Sequence, residues 1–188
     1  MMEFKAFLQA ISAASAPTDS RLYALVDHAG APGLLKRLRE QPQTRWTSLF
    51  SGSTEETAIE AAPLLLDLNT INREAWLRWL HLACGESTSL TLLHSSLAFE
   101  ALAQRLKYRL DVLLPDGLPA MLRYFDTRIL ESLIQVLEPD QRNHFLGIAY
   151  CWQWLDRGGD MRAFKALPMA IRGQASNSLK LGDVRLFC

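Results

Sequence analysis

At 188 residues, the chain is long enough for one well-buried core with at most a small second lobe. Hydrophobic residues make up 49% and charged residues 21%, ordinary globular proportions that exclude a disordered chain. Lys and Arg balance Asp and Glu at 20 each, and that zero net charge excludes a nucleic-acid binder working through bulk electrostatics.

The charge balance is uneven along the chain. Residues 156–188 hold six Lys or Arg against three Asp or Glu, a mildly basic end too weak to imply a phosphate partner. The N-terminal MMEFKAFLQAISAASA superficially resembles a secretory leader. Its apolar run is broken by Gln9 and Ser12, and Phe4, Phe7, Leu8 and Ile11 fall at the spacing of an amphipathic helix. No apolar run approaches the roughly 18 residues that a membrane span needs. Cys84, Cys151 and Cys188 form no CxxC pair and have no histidine at ligand spacing, which argues against a metal site and fits a reducing compartment. The expected location is the cytoplasm.

After a turn at Pro17–Ser20, RLYALVD (Arg21–Asp27) predicts a buried strand running into a Gly/Pro loop. Leu34, Leu35 and Leu38 mark one face of a short helix ending before Pro42. Arg45–Phe50 predicts a second strand and Ala62–Leu68 a third. Asn72 is placed to cap a helix striped by Trp76, Leu77, Trp79, Leu80 and Ala83. Ser89–Ser95 predicts a further strand, and Phe99, Leu102, Ala103 and Leu106 a further helix. This alternation predicts an α/β fold with a mixed central sheet flanked by helices.

Residues 108–137 carry the most information. Pro115-Asp116-Gly117 supplies turn chemistry between two apolar runs, so an antiparallel hairpin over about 108–125 should feed a helix. Asp126 is placed as its N-cap, and Ile129, Leu130, Leu133, Ile134 and Leu137 repeat at one-turn spacing. Pro139 can open another short helix, and Ile148–Leu155 predicts a strand. Beyond Gly158-Gly159 the pattern loosens, and KLGDVRLF (residues 180–187) reads as a last strand or an unanchored tail. The expected organisation is an α/β domain over 1–155 with a C-terminal extension over 156–188 that could pack on the same core.

The search for chemistry is mostly negative. There is no HExxH, GxSxG, phosphate loop or GxGxxG. His28, His81, His94 and His144 lack partners at recognisable spacing, and adjacent His94 and Ser95 on a strand point to opposite faces. The expectation is therefore no catalytic set, no cofactor and no metal. Asp27 closes the first strand, where α/β sheets place ligands, although a carboxylate there can equally cap the following loop. Arg123, Asp126 and Arg128 form the sharpest polar cluster. Arg128 lies two residues past Asp126 and so does not share its helical face at i, i+4 spacing, while Arg123 could reach back to the cap. A structural ion-pair junction and a partner-binding site both remain open readings.

The series LYALVD (22–27), SLFSGSTEETAIEAAPLLLDL (48–68), WLRWL (76–80), SLTLLHS (89–95) and LLPDGLPAMLRYFDTRILESLI (113–134) resembles the type VI secretion effector chaperones, or adaptors. This bacterial family was first catalogued as a domain of unknown function. The most specific part is the proline–aspartate–glycine turn followed by Arg123-Tyr124-Phe125-Asp126-Thr127-Arg128. In the family this end usually reads arginine, phenylalanine, tyrosine, aspartate, proline, arginine, so the aromatics are swapped and Thr127 replaces proline. The tryptophan and glycine common in the strand here written SLTLLHS are missing, and Gly147-Ile148 stands where a glycine–proline is usual. Many members also continue into a larger C-terminal lobe.

The resemblance implies a non-enzymatic protein–protein interaction role: binding the N-terminal region of a toxic effector in the cytoplasm and helping to load it onto the trimeric secretion spike. Interfaces favour Trp, Tyr and Arg, so Trp46, Trp152 and Trp154 join Arg123, Asp126 and Arg128 as candidate partner-binding residues, each tryptophan also having a core reading. Two other functions stay open. One is a small-molecule or nucleotide-handling α/β enzyme using Asp27 and the junction arginines, since guanidinium groups hold phosphates bidentately. The other is an immunity protein that neutralises a toxin.

Overall fold

In the computed structural model, the described residues are 2–14, 16–69, 72–85, 87–114 and 116–166. Six helices, α1 (Phe4–Ser12), α2 (Leu34–Glu40), α3 (Arg73–Cys84), α4 (Phe99–Lys107), α5 (Thr127–Val136) and α6 (Pro139–Leu146), alternate with strands. The strands are β1 (Arg21–Asp27), β2 (Trp46–Ser48), β3 (Pro63–Asp67), β4 (Leu90–Ser95), β5 (Asp111–Leu113), β6 (Pro119–Met121), β7 (Cys151–Leu155) and β8 (Met161–Lys165). Six of them form one sheet in the order β2-β3-β1-β4-β7-β8, and β5 and β6 make a separate two-stranded ribbon.

Helices cover both faces of the sheet, as the α/β reading requires. Cross-strand partners share a face, and register places Tyr23 opposite Leu93, and Leu93 opposite Trp152. On that face the Tyr23 hydroxyl donates to the Leu97 carbonyl at 2.7 Å, its ring tilts against Phe99 of α4, and Trp152 Nε1 donates to the Leu146 carbonyl of α6. The opposite face carries Ala24, Leu92 and Gln153, and Gln153 Nε2 donates to the Ala10 carbonyl of α1. There α1 packs on α3, with the Phe7 and His81 rings 4.9 Å apart.

All five pairings in this sheet are antiparallel, so the mixture of directions expected from the sequence narrows to one. The reason lies in burial. Strands covered on both faces read as unbroken apolar runs whichever way they point, and β4 and β7 are buried at every position. Residue type therefore carries no information on direction.

Asn72 stands at the N-cap position of α3, but its side chain makes no capping bond. Asp126 does cap α5, accepting from the Arg128 N–H, and Pro139 opens α6 with the Gln141 side chain accepting from the Glu138 N–H. The hairpin is shorter than 108–125 because its flanks have other partners. Leu122 N–H still reaches the Leu110 carbonyl at 2.7 Å, but Tyr124 then dives inward. It is fully buried, donates its hydroxyl to the Leu106 carbonyl at 2.7 Å, and meets the Phe145 ring edge-on. The loosened region past Gly158 contains β8, registered against β7 from Leu155↔Met161 to Cys151↔Lys165, so the start of the C-terminal extension belongs to the same sheet. KLGDVRLF lies outside the described residues.

Candidate functional site

The end of β1, the approach to β4 and the start of α5 meet at one end of the sheet's two central strands. Asp27 N–H donates to the Ser89 carbonyl and Thr127 N–H to the Thr88 carbonyl, so two neighbouring carbonyls tether a strand and a helix side by side. Thr127 is 1% exposed. Proline, the residue usual here in the family that this motif resembles, would have no N–H to give, so Thr127 adds a tether.

This geometry brings Asp27 and Asp126 into one junction, each buried. Asp27 Oδ1 accepts from the Ala29 N–H at 3.2 Å and thus caps the loop after β1. Its Oδ2 accepts from Arg123 Nη2 at 3.2 Å. Arg123 therefore reaches across to β1 rather than back to the helix cap, and its guanidinium lies 5.4 Å from the Phe125 ring. Asp126 Oδ1 accepts from Arg128 N–H at 3.0 Å and from Arg128 Nε at 2.9 Å, and Oδ2 accepts from Arg128 Nη2. The rule of i, i+4 spacing does not apply to this pair, because an N-cap side chain leans over the first turn instead of sharing its face.

Electrostatically the two acids differ. Burial is the largest influence on Asp27 and lifts its carboxyl above the usual range, against the opposing pull of Arg123 and the Ala29 N–H. Burial pushes Asp126 upward too, but the hydrogen bonds and charge of Arg128, with Arg123 behind them, hold it below the ordinary range. The guanidiniums face outward: the Arg123 and Arg128 side chains are 54% and 51% exposed, over carboxylates at 9% and 7%. Two inward acids thus hold two outward arginines, an arrangement able to receive carboxylates or carbonyls of a second molecule.

The tryptophans separate. Trp46, on the edge strand β2, is 36% exposed and stays available. Trp152 and Trp154 do not: both are buried, and their indole N–H groups are consumed internally by the Leu146 carbonyl and Glu131 Oε1. Their strand lies inside the sheet between β4 and β8, which gives both a core position.

Sequence reasoning missed Arg109. It donates to the carbonyls of Phe145, Arg105 and His144, and burial lowers its pKa to about 10. It ties the end of α4 to the end of α6 rather than facing a ligand. Also unanticipated is a cleft of roughly 500 Å³ between α5 and the β7–β8 hairpin, lined by Glu131, Trp154, Asp156 and Arg162 among others; no junction residue lines it. Among the described residues there is no His/Cys/Asp/Glu group able to hold a metal ion, and no helix is long and apolar enough to cross a membrane.

No curated protein and no solved structure matches the chain. One family model, described as a domain of unknown function, DUF4123, matches residues 22–144. That span runs from β1 through the arginine junction to α6 and takes in most of the chain, which therefore belongs to the DUF4123 family.

Proposed function

We propose that this chain is a non-enzymatic chaperone or adaptor of a bacterial type VI secretion system. It binds the N-terminal region of a toxic effector in the cytoplasm and assists its loading onto the secretion spike. The observation that carries this reading is family membership across residues 22–144, with the Arg123–Arg128 motif inside the matched span. The junction supports it physically, because Arg123 and Arg128 present half-exposed guanidiniums fixed by buried carboxylates, and arginine is enriched where protein interfaces concentrate their energy.

The test is co-expression with the toxin encoded at the same locus. A complex should appear on gel filtration, and Arg123→Ala/Arg128→Ala should weaken it while leaving the protein folded. An effector that stays soluble and is secreted normally without this protein defeats the proposal. Self-intoxication on deletion, with secretion intact, would make it an immunity protein instead.

A further inference from the structure

The β5–β6 ribbon turns an apolar face away from the core. Opposed residues across a ribbon share a face, and successive residues alternate. Val112 and Ala120 pair on the inward face, where Val112 is buried and Ala120 packs on the core. The outward face holds the pairs Asp111↔Met121 and Leu113↔Pro119, all four exposed. Leu113 and Met121 are 41% and 37% exposed, and Leu118 at the turn reaches 59%. The solvent side of an antiparallel ribbon ordinarily carries polar residues. Here Asp111 is the single polar member.

The strip does not stop at the ribbon. Met121 also lines a groove of about 340 Å³ with Phe50, Leu110 and Tyr108, and Tyr108 is 66% exposed. The exposed apolar groups are thus Leu113, Leu118, Pro119, Met121 and Tyr108, beside a groove of mixed polarity whose floor holds buried Phe50 and Leu110. Clustered exposed apolar side chains rimmed by polar ones mark protein-contact sites.

Charge states what the strip accepts. Between Arg109 and Arg123 the chain has Asp111 and Asp116 and no Lys or Arg. Both acids are exposed, and neither forms a salt bridge among the described residues. Of the flanking arginines, Arg109 is committed to three carbonyls and Arg123 is ion-paired with Asp27 in the junction. The groove itself carries one cation, Lys107, which donates to the Ser51 carbonyl, and two acids, Glu55 and Asp111. Pro119 removes a donor from β6, and each strand is three residues long, so strand addition along the edge is poorly supported. The face is the better platform.

We propose that this ribbon face docks an amphipathic segment of a partner protein, one that presents an apolar strip bordered by Lys or Arg. The assignment rests on the partner-binding reading above and gives it a surface distinct from the arginine junction.

The probes are two short peptides sharing one leucine stripe, with lysine on the polar face of one and glutamate on the other. Fluorescence anisotropy against the full chain at low salt should show the lysine peptide binding saturably, about tenfold more tightly than its twin or better. Leu113→Ser/Met121→Ser should remove most of that binding while the protein still unfolds cooperatively in urea with a modestly lowered midpoint, because both side chains are only partly covered. Asp111→Lys/Asp116→Lys should erase or reverse the preference. Equal affinity for the two peptides, or binding indifferent to Leu113→Ser/Met121→Ser, overturns the proposal. So does light scattering that reports a dimer dissociated by that variant, which would assign the face to a second copy of the chain. A co-expressed effector complex that survives Leu113→Ser/Met121→Ser but not Arg123→Ala/Arg128→Ala leaves the chaperone reading standing and rejects this surface.

Discussion

The Asp126–Arg128 pair can be dissected by a double-mutant cycle. Asp126→Ala removes a helix N-cap, a loss of about 1 kcal/mol. It also removes a pair whose arginine side chain is 51% exposed, so solvent screening limits that part to about 0.5 kcal/mol. The expected cost is about 1.5 kcal/mol. Arg128→Ala keeps the cap but leaves a buried carboxylate with the Arg128 N–H as its remaining hydrogen-bond donor, at about 1 kcal/mol. Once the carboxylate is gone, Arg128 has nothing left to hold. The double variant should therefore be no less stable than Asp126→Ala, giving a coupling energy between about 0.5 kcal/mol, the screened pair alone, and about 1 kcal/mol, the pair plus the carboxylate left underbonded.

Urea unfolding followed by tryptophan fluorescence at neutral pH measures all four corners. The sign of the pH dependence is fixed as well. The folded-state pKa of Asp126 is depressed, so its stabilisation is complete above the unfolded value near 3.9 and fades as pH falls below it. The gap between the parent and Asp126→Ala must narrow on acidification. Additive single effects, or a gap that widens in acid, would refute the reasoning.

Asp27 should behave in the opposite sense. Its raised pKa means that ionisation opposes folding, so this contribution to stability improves as pH falls through the folded value towards the unfolded one. Asp27→Asn keeps an acceptor for the Ala29 N–H and removes the charge, so the urea midpoint at pH 7 should hold or rise; a loss beyond about 2 kcal/mol would mean that Arg123 outweighs burial. Thr127→Pro is compatible with the first helical position but breaks the bond to the Thr88 carbonyl, and thermal denaturation should show about 1 kcal/mol lost. His81 is 3% exposed, neither ring nitrogen has a hydrogen-bond partner among the described residues, and the ring packs on Phe4 and Phe7. His81→Leu should be neutral or stabilising in urea, and marked destabilisation would reveal a polar partner.

Local features were the legible ones. RLYALVD gives β1 because a seven-residue run sits between a turn cluster and a Gly/Pro loop, and α5 follows from one-turn leucine spacing behind a capping aspartate. β8 was not legible: MRAFK is a half-exposed edge strand whose charges mimic a loop. The arginine cluster could be seen, but the partner of Arg123 lies 96 residues away, beyond any spacing rule. Nor does composition distinguish an interface tryptophan from a core one; the position of β7 within the sheet is what buries Trp152 and Trp154, and position is a tertiary fact.

Buried acids beneath exposed arginines have a consequence for recognition kinetics and entropy. A free surface arginine samples many rotamers, and ordering it on contact costs about 0.5–1.5 kcal/mol per side chain. Arg123 and Arg128 have surrendered much of that freedom on folding, through Asp27, Asp126 and the Phe125 ring. A molecule arriving at this junction meets two guanidiniums already aimed, so contact requires little further ordering on this side.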